Sequence, residues 1–178
     1  NYAEHVFRSS SQDRPALLSC SESRDVKPMS WGELHQQVSS LAAALRDMGA
    51  QKGDRVVAYL PNIPETIIAF LASASIGATW SSCSPDFGTR SVVDRFQQIQ
   101  PKVLFAVDGY TYGGKSFDRL PEVARLKQAL TGLEKVIVIP YGSGDRKPNL
   151  PADLQDAVPW PDLLGKEREL IFEQVPFD

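Results

Sequence analysis

From Ser30 the chain reads Ser-Trp-Gly-Glu and then places Leu34, Val38, Leu41, Ala42, Leu45 and Met48 three to four residues apart. Side chains at that spacing share one face of a helix, so the pattern predicts an amphipathic helix with a buried stripe. A capping box marks its start: the Ser30 hydroxyl accepts from the Glu33 N–H, and the Glu33 carboxylate reaches back. Gly49 supplies the stop. Gly53-Asp54 then reads as a turn and residues 55–60 (RVVAYL) as a strand. Pro64 suits the first turn of a second helix, where its missing N–H has no partner to lose. That helix is expected to bury Ile67, Ile68, Leu71 and Ala74 and to end at Gly77.

Further on, Val92, Val93, Phe96 and Ile99 predict a third helix, stopped by Pro101. Residues 103–107 (VLFAV) form a nearly continuous apolar run, as in a parallel strand covered on both faces. Leu120, Val123, Leu126 and Leu130 mark a fourth helix ending at Gly132, and residues 136–139 (VIVI) another buried strand. Strands alternating with helices imply right-handed crossovers and a parallel sheet. The fold class expected is therefore α/β: three layers, a mostly parallel sheet with helices on both faces.

The remaining segments are less regular. Residues 16–20 and 26–29 read as a small hairpin around Glu22-Ser23-Arg24-Asp25. Residues 76–88, IGATWSSCSPDFG, read as a helix end, a strand and a turn, yet that strand is made of small polar residues. Either a helix packs closely over Ser81 and Ser82, or the surface is left for a ligand or for more chain. Residues 140–161, with Pro140, Pro148, Pro151, Pro159 and Pro161, read as an irregular connection. Residues 170–175 alternate apolar and polar and are expected to form an edge strand. A start at Asn1 and a stop at Asp178 with no cap suggest a piece of a longer chain, with residues 1–178 as one partial domain.

With 178 residues, 42% of them hydrophobic, the chain has material for one domain with a real core. A net charge of -3 provides no field to attract nucleic acid or an anionic membrane. No apolar run approaches the roughly 18 residues a membrane span needs. The N-terminus has neither the basic nor the apolar region of a signal peptide, so a cytoplasmic location is expected. Cys20 and Cys83 have no metal-binding spacing and read as core thiols. His5 and His35 read as surface or helix-face residues, and no metal site is expected.

One motif stands out. Residues 109–116, GYTYGGKS, match the phosphate-loop pattern GxxxxGK[ST] directly after a strand. A phosphate loop must lead at once into a helix whose first N–H groups face the phosphates. Pro121 would interrupt a helix starting at Lys115, and Tyr110 and Tyr112 would crowd a phosphate's approach to the backbone. An NTPase built on this loop is therefore the weaker reading. A glycine-rich loop with Lys115 at a strand's carboxyl end can still contact a phosphate, because α/β sheets bind ligands there. A non-catalytic α/β interaction module is the third alternative.

Several segments taken together resemble the adenylate-forming acyl-CoA synthetases. They are MSWGELHQQVSSLAAALRDMG (29–49), GDRVVAYLPNIPETIIAFLASASIGA (53–78) and the 76–88 stretch. Within that family NYAEHVF, GATWSSCSPDFG, VDGYTYGGKSFDR and EQVPFD resemble the ligases that act on acetoacetate. The resemblance implies a ligase using ATP, Mg2+ and CoA, with acetoacetate as the acid; acetate, propionate or a 3-hydroxy acid are alternatives. It also implies that the ATP-phosphate loop, the acyl pocket and the catalytic lysine belong to sequence after 178. No catalytic residue is therefore assigned here, and the 178 residues alone are expected to be inactive. A sheet lacking its remaining strands would expose an edge, so self-association is a further expectation.

By the same resemblance Ser84, Pro85 and Asp86, with Tyr112 and Lys115, would line the nucleotide end of a coenzyme A site. Relatives carry two basic residues in the second loop, and Tyr112 stands at one of those positions. Stacking on adenine would then fall to Tyr112 and phosphate contact to Lys115, while Asp86 adds negative charge near the anion.

Overall fold

The computed structural model describes residues 1–11, 13–144, 148–165 and 168–176. Phe177 and Asp178, which close the EQVPFD motif, lie outside the described residues. The chain forms two compact units: Asn1–Asp54, Ile63–Thr79 and Leu163–Asp178 in the first, Arg55–Asn62 and Trp80–Asp162 in the second.

The first unit is helical. Helix α1 (Tyr2–Arg8), too short to show a periodicity in the sequence, is capped by Asn1, whose side chain accepts from the Ala3 N–H at 3.0 Å. It packs on α3, with the Tyr2 and Phe70 rings 5.4 Å apart. Strands β1 (Leu17–Ser19) and β2 (Lys27–Met29) make the expected antiparallel hairpin. Cys20, just after β1, is exposed, so only Cys83 is a core thiol. Being next to a short, half-exposed strand is not enough to bury it.

Helix α2 (Trp31–Asp47) carries the predicted capping box: Glu33 N–H to Ser30 Oγ at 3.2 Å, and Ser30 N–H to the Glu33 carboxylate at 2.7 Å. Such a cap contributes about 1 kcal/mol. These contacts, the Ser30 backbone bond first, hold the exposed Glu33 carboxyl below its ordinary pKa. At the other end Gly49 takes φ 87°, which lets the Ala50 N–H reach back to the Leu45 carbonyl.

Helix α3 (Pro64–Ser75) packs on α2. Its buried face is rotated from the predicted one: Ile67 and Ala74 are half-buried, while Ala69 and Ala72 join Ile68 and Leu71 in the core. Small alanines permit close approach, and the buried hydroxyls of Ser73 and Ser75 donate to the Ala69 and Ala72 carbonyls, each at 2.7 Å. Residues 170–175 form no strand, contrary to the alternation. Their backbone is satisfied otherwise: Glu173 N–H donates to the Ser75 carbonyl, and Arg46 and Lys52 donate to the carbonyls of Ile171 and Gln174. Helix ends and cationic side chains thus take the place of a ladder.

The second unit is built on a five-stranded sheet of order β4-β3-β5-β8-β9. Its strands are β3 (Arg55–Tyr59), β4 (Thr79–Cys83), β5 (Val103–Val107), β8 (Lys135–Ile139) and β9 (Val158–Pro159). Between β5 and β8 the chain forms β6 (Gly109–Tyr112), β7 (Lys115–Asp118) and helix α5 (Leu120–Ala129). The pairs β3–β5, β5–β8 and β8–β9 are parallel, with Val57, Leu104 and Val136 in register. Helix α4 (Thr89–Phe96) and α5 cover one face, where Val92, Phe96, Val123 and Leu126 meet Val57, Tyr59, Leu104, Ala106 and Val138. The alternate residues Val56, Ala58, Phe105 and Ile137 are also fully buried. A parallel α/β sheet of this kind is what the apolar runs predict.

Beyond α4 a turn of 3-10 helix (Gln97–Ile99) leads to Gln100 in a left-handed conformation, φ 48°, just before Pro101. The connection after β8 holds two further 3-10 turns, Ala152–Leu154 and Trp160–Leu163, around β9. Among the described residues no helix is long and apolar enough to cross a membrane.

Candidate functional site

The strand order changes direction at β3, and open α/β sheets hold ligands beyond the carboxyl ends of their strands at such a point. Tyr59 closes β3, Cys83 closes β4, Val107 closes β5 and Ile139 closes β8, so the segments that follow gather at this end of the sheet.

After β4 the chain turns through residues 84–88, with the Phe87 N–H donating to the Ser84 carbonyl. Ser84 and Asp86 are exposed and Pro85 is buried. The turn is held from beneath by Tyr59, itself fully buried, whose hydroxyl lies 2.7 Å from the Pro85 carbonyl and 2.8 Å from that of Phe87. One phenol proton is shared between two carbonyls, which fixes both at once. Outside, the Arg95 guanidinium stacks 5.2 Å over the Phe87 ring.

After β5 comes Asp108, a buried carboxylate that accepts from the Gly142 N–H at 2.6 Å and the Ser143 N–H at 3.1 Å, tying β5 to the segment after β8. The GYTYGGKS motif then follows as a hairpin. Strands β6 and β7 pair antiparallel around Gly113 and Gly114, at φ 58° and 71°. Two consecutive positive φ angles are the geometry that a two-residue hairpin turn requires. The phosphate-loop reading fails here: Lys115 sits in a strand opposite Tyr112, and no helix begins before Leu120.

The glycine-rich pattern predicts a loop here and the structure forms a hairpin, for which the sequence signal is a Gly-Gly pair flanked by two four-residue runs carrying aromatics. Tyr112 is 73% exposed and Lys115 is exposed, so the predicted pair stands together at the hairpin tip.

The hairpin base holds a residue that the motif did not flag. The Tyr110 and Phe117 rings stack at 5.1 Å, and the Arg119 guanidinium lies over both, 5.2 and 5.5 Å from their centroids. Its Nε is buried without a hydrogen-bond partner. The Arg119 charge also acts on the Tyr59 phenol. Tyr59 thus holds the first predicted segment from within, and Arg119 packs on the base of the second.

Burial pushes the Tyr59 phenol above its ordinary pKa, and the Arg119 charge pulls the other way without cancelling it. A phenol with a raised pKa favours the folded state below pH ~10, and that contribution disappears as pH rises through the raised value. The phenolate absorbance contributed by Tyr59, isolated by subtracting a Tyr59→Phe titration, is expected to rise later than that of exposed tyrosines. A Tyr59 signal developing no later than that of free tyrosine would contradict this.

A family model described as "AMP-binding enzyme" matches residues 4–171. The chain belongs to the AMP-binding enzyme family. Its sequence is 44% identical to an acetoacetyl-CoA synthetase of Macaca fascicularis and 40% identical to an acetoacetyl-coenzyme A synthetase of Rhizobium meliloti (strain 1021). Each match takes in 99% of this chain and 27% of the relative. Among solved structures, the acetoacetyl-CoA synthetase from Streptomyces lividans matches with a TM-score of 0.91 and 49% identity, covering 100% of this chain and 27% of that one. The chain thus spans about a quarter of the length of these relatives, as 27% coverage indicates.

Proposed function

We propose that these residues form the N-terminal part of the AMP-binding domain of an acetoacetate–CoA ligase. The observation that carries the reading is the 49% identity, at a TM-score of 0.91 over the whole chain, to the Streptomyces lividans acetoacetyl-CoA synthetase. In the whole protein the acetoacetate carboxylate would attack the α-phosphorus of ATP, releasing pyrophosphate and leaving acetoacetyl-adenylate. The CoA thiol would then attack the activated carbonyl, lose its proton and expel AMP. Activation is needed because an oxyanion is a poor leaving group and AMP a good one.

Magnesium would neutralise charge on the phosphates during the first step. Among the described residues no group of three or more His, Cys, Asp or Glu side chains is placed to hold a metal ion, so no ligand for it is assigned here.

The contribution of this chain lies in the second step. Ser84, Pro85 and Asp86 on the turn, with Tyr112 and Lys115 at the hairpin tip, are proposed as a wall of the coenzyme A nucleotide site. Exposed Tyr112 offers a ring face to adenine, and Lys115 offers an ammonium to phosphate.

The test is ATP–pyrophosphate exchange by the full-length protein, with acetoacetate, acetate, propionate and 3-hydroxybutyrate supplied in turn. Exchange with acetoacetate well above the other acids is expected. Preference for another acid would reassign the substrate, and no exchange with any acid would overturn the ligase reading.

A further inference from the structure

The Tyr59 hydroxyl lies 2.7 and 2.8 Å from the Pro85 and Phe87 carbonyls. The charge that acts on it is that of Arg119, stacked on Tyr110 and Phe117 at the hairpin base. Tyr59 is fully buried at the end of β3, with no freedom to follow the turn if the turn moves. Core packing alone would be met by a phenylalanine. A hydroxyl buried there is costly unless its bonds are made, and here they are made to the turn.

The same is true of Arg119, whose side chain is only 17% exposed. Its nearest carboxylate, on Glu122, is 3.9 Å away, and its Nε has no partner. A guanidinium placed mainly by two aromatic faces serves to hold geometry more than to make an ion pair.

We infer that Tyr59 is a positioning residue for coenzyme A, holding the turn of residues 84–88 in place so that it can serve with the hairpin as one wall. This rests on the ligase reading above. Tyr59 touches no substrate in this role; it acts through the carbonyls of Pro85 and Phe87, which set the direction of the Ser84 and Asp86 side chains. Loss of the hydroxyl leaves the aromatic core intact but releases the turn. The consequence is confined to the thiol-transfer step, because adenylation makes no use of coenzyme A.

The experiment compares full-length wild-type protein with its Tyr59→Phe and Arg119→Lys variants in two assays. One is ATP–pyrophosphate exchange in the absence of CoA; the other is CoA-dependent thioester formation at varied CoA. Tyr59→Phe is expected to raise KM for CoA about tenfold, the equivalent of one lost buried hydrogen bond, with exchange nearly unchanged and the thermal midpoint modestly lowered. Arg119→Lys keeps the charge but loses the stack, and is expected to raise the same KM by a smaller factor. It also serves as the reading should Tyr59→Phe fail to fold.

An unchanged KM for CoA in both variants overturns the inference. So does an equal fall in exchange and thioester formation, which would mean a general structural role. If the wild-type protein exchanges pyrophosphate with no acid and makes no thioester, the ligase reading itself has failed.

Discussion

Truncating Phe105 to alanine is expected to lower the unfolding free energy by about 4 kcal/mol. The ring is fully buried in mid-strand β5, which is bordered by β3 and β8. Ala58 and Ile137 are its register neighbours on those strands. It also meets the Trp80 and Trp160 rings, with centroids 6.3 and 6.1 Å away. A cavity opened there cannot close readily, because strands in a fixed hydrogen-bonded register do not shift one at a time and indoles cannot extend. The full cost of lost transfer energy plus residual cavity therefore applies.

Phe105→Leu, which keeps most of the volume, should cost less than half as much. Tyr112→Ala at the exposed hairpin tip should be close to neutral for stability. Urea unfolding of the three variants provides the check: midpoints should fall in that order with little change in slope. A Phe105→Ala loss near that of Tyr112→Ala would show that β5 is not the rigid centre of its sheet.

Gly109→Ala should be the second severe change, and it should reach function as well as stability. A Cβ at Gly109 would lie 2.6 Å from the Phe117 carbonyl oxygen, a backbone atom that cannot rotate away. A Cβ at Gly142 would lie 2.8 Å from the Gly109 Cα and carbonyl carbon, so the two glycines mark one point where three backbone segments meet. The hairpin must move to admit either methyl group. An overpacking cost of about 3 kcal/mol is expected for Gly109→Ala, with the Tyr110–Phe117–Arg119 base displaced and KM for CoA raised alongside. Gly132→Ala is the matched control, because its Cβ would meet nothing closer than 3.6 Å. Thermal midpoints and CoA titrations of the two full-length variants decide the matter. A Gly109→Ala protein as stable and as effective with CoA as Gly132→Ala would show the close approach to be harmless.

The parts of this chain that could be read from sequence are those whose buried face is long enough to repeat. Leu34 through Met48, and the runs at 103–107 and 136–139, each commit several side chains to the core, and the structure places α2, β5 and β8 there. Helix α1 has seven residues and one buried side chain, Ala3, too few for any period to register. The 170–175 alternation pointed to a strand, but alternation describes only side chains. Whether a ladder forms depends on what the backbone meets, and here it meets a helix end and cationic side chains.

The site divides along the same line. Motif and resemblance pointed to Lys115, Tyr112 and the 84–86 turn, of which all but Pro85 are exposed. Tyr59 gives no signal of its own, being one more bulky residue in RVVAY, and Arg119 is a single charge just before a helix. The roles proposed for them depend on where β3, the turn and the hairpin lie in the fold. No window along the sequence contains all three.

The two margins of the five-stranded sheet are unlike. On one side lies β9, a strand of only two residues, Val158 and Pro159, and the proline has no N–H to offer a newcomer. On the other lies β4, five residues with no proline, whose small polar side chains Thr79 and Ser82 are exposed and tolerate water. The assembly therefore has a built-in polarity of growth. Of the two margins, β4 is the better template for a further strand and β9 the poorer one. The serine- and threonine-rich strand that looked out of place in a buried sheet is the side from which the sheet can be continued.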